Sequence, residues 1–402
     1  MEPDWTPDFI KGLLEAFQVT TELILYVLAY LWAWVSSHND SLRAWTQALG
    51  TPLTLWIIAI SITRKLEQQK QEDDRENRQE DILAEYLKQL TSLVTKEKLA
   101  GASHDMSVVK AAQALTITVL LRLDAKRAKQ VRNILVSSKL ATTGIEDSPS
   151  ILMNSDFSKA ALSGHFFEGL NFRGSDFQEA NLQNINFSKA NLSYTNFQKA
   201  NLQSSNLEGA NLKEANLNNA DLSGANLRNV NFQDANLSET NLEGANLTGA
   251  NLQNANLYKS NNKDADFRTA KLNRAYLRRA NLEAAKFRAS LLCDANLREA
   301  DLRRAYFHET NLQRANLQEA DLKGANVECS NFQEACLSNA DVQGADLRCA
   351  ALQGTNLKGA NLKKTNLKSA RYSNDTCFPD SFDPNSRGMV MANPRPWKCS
   401  EE

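Results

Sequence analysis

From Phe157 to Tyr372 every fifth residue is a centre, nearly always large and apolar, and the series runs without one insertion or deletion. These centres stand at numbers ending in 2 or 7 and define 44 units; Leu or Phe fills 40 of them, the exceptions being Asn262, Val327, Val342 and Tyr372. Two residues before each centre is Ala in 29 of 44 units, otherwise mostly Ser or Thr, and the residue between is usually Asn or Asp. A period of five matches neither the 3.6 of a helix nor the 2.0 of a strand, so the chain must turn once per unit. The pattern predicts a solenoid whose coils are squares of four units. The centre and the small residue point inward, and the remaining positions point out. Four large side chains already fill such a square, so a second large residue per side would overpack it. Asn and Asp suit the corners, where their side chains bond to nearby backbone and tolerate turn dihedrals. At a strand spacing of about 4.8 Å, the units give about 11 coils and a rod of roughly 50 Å. Phe157, Phe177 and Phe197 should then stack in one column, and Phe267, Phe287 and Phe307 in another.

The N-terminal third follows other periods. Residues 17–35 and 45–63 are apolar stretches without Lys or Arg, joined by residues 36–44; their length is that needed to cross hydrocarbon. They predict a transmembrane helical hairpin over residues 1–65. Arg64, Lys65, Lys70 and Arg75 follow the second stretch, against Arg43 alone in the connector, which places the rod on the cytoplasmic side. Residues 66–140 read as a charged helical stalk and a small helical bundle. Its stripes comprise Ile82, Leu83, Tyr86, Leu87, Leu90, Leu93 and Val94; Val108, Val109, Ala112, Leu115, Val119 and Leu123; and Val131, Ile134, Leu135 and Leu140, with Asp124 as an N-cap. A linker over 141–150, the repeats over 151–372 and a cap and tail over 373–402 complete the chain. The last coil would expose Leu side chains and an open strand edge. Phe378, Phe382 and Trp397 are expected to cover it, with Pro379 and Pro384 blocking further strand pairing.

Charge and chemistry narrow the function. The 46 Lys and Arg nearly balance 47 Asp and Glu, which argues against a nucleic-acid binder acting through bulk charge. Four His and scattered Cys give no metal-binding spacing. The carboxylates of the repeats recur at outward positions with no His or Ser partner, so neither catalysis nor a cofactor is expected. One band departs from the rest. Between Lys263 and Arg304 there are 11 Lys or Arg against six Asp or Glu. Arg268, Lys271, Tyr276, Arg278, Lys286, Arg288, Arg298 and Tyr306 form the expected partner face, because exposed Tyr beside Arg is an interface composition. The alternative is an ordinary solvated surface. Asn262 breaks the centre register in the same band and is expected to cause a local bulge. Cys329 and Cys349 are one coil apart, near enough for a disulfide, though a reducing compartment would leave them as thiols.

The run Ala210-Asn211-Leu212-Lys213-Glu214-Ala215-Asn216-Leu217 resembles the pentapeptide-repeat proteins, and the resemblance covers more than half of the chain. It implies a right-handed quadrilateral β-helix. With the apolar N-terminus, the whole resembles membrane-anchored members found in cyanobacteria, in a plasma or thylakoid-type membrane. The reading is a mainly β, membrane-anchored, non-catalytic scaffold that binds an unidentified protein. Two alternatives follow from the resemblance. One is a DNA mimic that occupies a topoisomerase, which would need a strongly acidic rod; the other is an accessory to membrane assembly or lipid export.

Overall fold

The computed structural model describes residues 40–96, 106–138, 140–141 and 150–393. The chain forms two compact units, one ending at Arg78 and one beginning at Gln79. Three helices come first: α1 (Asp40–Lys96), α2 (Met106–Leu120) and α3 (Ala125–Ser137). The repeats follow, then two short strands, β1 (Arg371–Tyr372) and β2 (Val390–Met391).

The repeats wind as a four-sided β-helix with a constant 20-residue coil. Residues at numbers ending in 1 or 6 bridge in parallel to the residue one coil on, from Asp156↔Asp176 through Ala351↔Arg371. At Leu212 the pattern is simple. Its amide donates to the Asn231 carbonyl at 2.7 Å, the Asn231 amide donates to the Ala210 carbonyl at 2.9 Å, and the Ala215 amide closes the turn on the Leu212 carbonyl at 3.1 Å. That turn needs a left-handed residue two positions after each centre, as at Glu214 (φ 58°) and Gly224 (φ 64°). The expected role of Asn and Asp is therefore corrected in part. They stand on the bridges, and the left-handed conformation falls on the second outward position after the centre. The Asn211 Oδ1 accepts from the Lys213 amide at 3.2 Å, bracing the turn at its entrance.

Inside, the centres and small residues are buried, and one continuous apolar core runs from Leu83 in α1 to Met389 beyond the last coil. The aromatic columns form as expected: Phe157, Phe177 and Phe197 stack at 5.0 Å spacings, and Phe267, Phe287 and Phe307 at 5.0 and 4.8 Å. At Thr240, Thr310, Thr355 and Thr365, which replace the small Ala, the hydroxyl bonds inward to the preceding coil, as Thr240 does to the Leu217 carbonyl at 2.9 Å. Asn262 makes no bulge, contrary to expectation. Its amide keeps the ladder, donating to Asn281 O at 2.7 Å, and its side chain is 0 % exposed. The Nδ2 donates to Ser260 Oγ at 2.7 Å, while Oδ1 is buried without a partner. The backbone bonds of a coil outweigh one orphaned side-chain acceptor, so the ladder holds and the polar group stays inside.

The helical module is a lid on the first coil. Leu83, Tyr86 and Leu90 of α1 pack with Val108, Ala112 and Val119 of α2 and Ala128, Val131 and Leu135 of α3. Asp124 caps α3, accepting from the Arg127 amide at 2.9 Å. The buried Arg127 guanidinium pairs with Glu80 at 2.8 Å and Asp124 at 2.7 Å. Gln113 of α2 donates to the Met153 carbonyl at 2.8 Å, and Arg132 of α3 to the Glu168 carbonyl at 2.8 Å. His165 places Nε2 3.2 Å from the Leu123 carbonyl. The boundary expected at 141–150 therefore does not separate two cores.

Among the described residues no helix is long and apolar enough to cross a membrane. The first apolar stretch, 17–35, lies outside them. The backbone of the second, 45–63, is part of α1, which begins at Asp40 and so takes in half of the expected connector. The transmembrane hairpin finds no support here. At the far end Phe378 packs edge-on to Tyr372 at 5.6 Å and stacks on Phe382 at 5.0 Å, both partly buried against the core; Trp397 lies outside the described residues. Pro384 does not end strand pairing, because β2 returns to pair in parallel with β1.

Two outcomes follow from this packing. Leu212→Asp should lower unfolding free energy by about 4 kcal/mol or more, since it buries an unpaired charge between Leu layers, whereas outward Glu214→Lys should stay within about 0.5 kcal/mol. Equal denaturation midpoints would reverse the inward and outward assignment. Asn262→Leu should raise stability by about 1 to 2 kcal/mol by removing the orphaned acceptor from an apolar column; a lower urea midpoint would show that the Asn bond to Ser260 outweighs it.

Candidate docking surface on the rod

Below the band, vertical side-chain ladders line the outside of the rod. Asn256 Nδ2 donates to Asn236 Oδ1 at 3.2 Å, Asn251 to Asn231 at 3.1 Å, and Asn261 to Asn241 at 3.0 Å. In the band the ladder survives on one side, where Asn281 donates to Asn261 at 2.9 Å. On the other three sides the bridge residues become Tyr276, then Lys271 and Leu291, then Asp266, Lys286 and Tyr306.

The bridge columns divide the expected face. Asp266, Lys286 and Tyr306 bridge consecutively on one side, and Arg268 and Arg288 begin the turns that leave it. Tyr276 bridges between Asn256 and Asn296, two sides away, with Arg278 and Arg298 on the turns of that side. Lys271 lies on the side between them with Leu291. Ten residues are half of a four-sided coil, so Tyr276 and Tyr306 point in opposite directions and cannot share one docking face.

The two groups differ in how far their charges are already satisfied. Beside Tyr276, Glu299 is gripped by Arg278 at 2.7 Å and Arg279 at 2.5 Å, and Arg298 reaches Glu319 at 3.3 Å. Hydrogen bonds from Arg279 and Arg278 outweigh burial and hold the Glu299 carboxyl below its usual pKa. Tyr276 itself packs against Tyr258 at 6.0 Å and is 37 % exposed. Tyr258 is a neighbour that the pentad pattern does not single out, because it stands in an ordinary outward position. On the Tyr306 side, Arg268 pairs with Asp266 at 2.6 Å. Burial raises the Asp266 pKa, but the hydrogen bonds of Arg268 and the charges of Arg268 and Lys286 bring it below the usual value. Arg288 meets Glu309 only at 3.5 Å, and Tyr306 is 51 % exposed.

The carboxylates here are engaged by arginines, the interior is filled by Leu and Phe, and among the described residues no group of three His, Cys, Asp or Glu could hold a metal ion. His165 belongs to the joint between lid and rod, and His308 sits 3.7 Å from Glu309.

Pentapeptide repeats match this chain in stretches between residues 150 and 371. Among solved structures, HetL, a pentapeptide repeat protein involved in heterocyst differentiation regulation from the cyanobacterium Nostoc sp. strain PCC 7120, is 30% identical; the match covers 57% of this chain and 92% of HetL, with a TM-score of 0.37. Rfr23 from the cyanobacterium Cyanothece 51142 is 32% identical over 29% of this chain and 65% of its own, with a TM-score of 0.20. Full-length QnrB1, a plasmid-mediated fluoroquinolone resistance protein, is 18% identical over 60% of this chain and 93% of its own, with a TM-score of 0.21. No curated protein matches the chain. With the repeat matched over more than half of its length, the chain belongs to the pentapeptide-repeat family, whose repeats imply a right-handed β-helix.

Proposed function

We propose that this protein is a non-catalytic scaffold that binds a partner protein through the rod side carrying Lys286, Arg288 and Tyr306. The observation behind this reading is the loss of the Asn column at Asp266, Lys286 and Tyr306 over three consecutive coils. Repeat geometry asks only for small polar bridge residues there, so an exposed Tyr next to Lys and Arg has no part in holding the coil. Such residues are the commonest energetic anchors of interfaces, and their charge suits a partner with acidic groups around an aromatic-accepting pocket. The basic excess of the band runs against duplex mimicry, which would need the opposite sign.

The scaffold is further proposed to sit at a membrane, with the rod on the cytoplasmic side. The support is the sequence alone: the apolar stretches 17–35 and 45–63 and the basic residues from Arg64 to Arg75.

Two experiments separate these parts. Lys286→Glu and Arg288→Glu combined with Tyr306→Ala should cut partner recovery by roughly 30-fold, the equivalent of about 2 kcal/mol. Tyr276→Ala with Arg278→Glu, two sides away, should leave it unchanged. The reverse ranking, with circular dichroism matching the parent in both, would move the interface to the Tyr276 side. For the membrane, the full chain should resist alkaline carbonate extraction, and deletion of residues 1–64 should release it. Complete extraction of the intact chain would remove the anchor from the proposal.

A further inference from the structure

Cys329 and Cys349 occupy the same corner of successive coils. Both are left-handed turn residues, with φ 57° and 58°, and the Cys329 amide donates to the Arg348 carbonyl at 2.9 Å, which sets one turn directly against the next. Both are free thiols, Cys349 exposed and Cys329 half-buried. Neither fills the core, and at this position the repeat elsewhere carries Gly or mostly polar residues. Two thiols stacked at an outward corner have no packing role in the coil.

We propose that Cys329 and Cys349 form a dithiol site that reacts with a low-molecular-weight disulfide and closes into a bridge between adjacent coils. Cys349, exposed and next to Arg348, is the attacking thiol. Arg348 is held beside it by Glu328 at 3.2 Å and Asp346 at 2.8 Å. Cys329 is the resolving thiol: burial first, then Cys349 and the flanking Glu328 and Glu309, push its pKa up. The Cys349 thiolate attacks one sulfur of the reagent, giving a mixed disulfide and one released thiol. The Cys329 sulfur then attacks the Cys349 sulfur, and the second reagent thiol leaves. Two electrons pass to the reagent, and the two cysteine protons end on the two released thiols. Coils stacked at the strand spacing of about 4.8 Å place the two backbones within the roughly 4.4–6.8 Å between α-carbons that a disulfide spans. This site does not depend on the docking surface proposed above.

The test treats the full-length protein with oxidised glutathione, alkylates the remaining thiols and analyses tryptic peptides. Cleavage at Lys323, Arg348 and Lys358 places Cys329 with Cys336 in 324–348 and Cys349 in 349–358. The expected product is these two peptides joined, about 2 Da lighter than their sum, formed equally by Cys336→Ser and abolished by Cys329→Ser. Reduced glutathione should reopen it. The proposal is overturned if Cys329 and Cys349 are recovered alkylated or separately glutathionylated, or if the joined peptides persist in Cys329→Ser.

Discussion

The vertical backbone ladder governs the rod. From Phe157 to Leu352 each centre donates its amide to a carbonyl nineteen residues ahead, as Leu212 does to Asn231, and from Asp176 to Arg371 each bridge residue donates to a carbonyl twenty-one residues behind, as Asn231 does to Ala210. A single inserted residue would displace every bond above it, and the buried amides of a coil have no water to fall back on. That is the physical reason for 44 units without a gap. It also explains why Asn262 is tolerated inside: bulging it out would have sacrificed backbone bonds on both neighbouring coils to relieve one side-chain oxygen.

The two ends of the rod are solved differently. At the start, three helices lay a continuous apolar surface against the first coil, and Gln113, Arg132 and His165 join the two with polar contacts to backbone carbonyls or facing them. At the other end the chain folds back on itself, using Phe378 and Phe382 as a plug and β2 as one more strand beside β1. Both devices hide Leu side chains and occupy strand edges that would otherwise recruit other chains.

The square coil, the inward positions and the aromatic columns were legible in the sequence because each depends on a local, repeated choice of residue. The N-cap at Asp124 was legible because a cap depends on residues within one turn. The joint between lid and rod was not, since Gln113 and Met153 lie far apart in sequence and neither belongs to a motif. The partner face was legible only in part. The composition of the band marked it out, but whether Tyr276 and Tyr306 share a side follows from counting them round four sides, and composition does not record direction. The left-handed turn residues were hidden by their variety. Glu, Lys, Arg, Asn and Cys all take that conformation here, because the ladder on either side holds the turn against the cost each carries.

The order of lid and rod along the chain has a consequence for synthesis. A coil of this kind cannot close alone: it needs a neighbour whose free carbonyls and amides dictate its register. The helices of the lid precede the repeats, so they can assemble while the rod is still being made. The first coil then emerges beside a finished template, and every later coil beside the one before it. The rod is laid down like courses of brick, from a ready-made foundation toward the end that is sealed last.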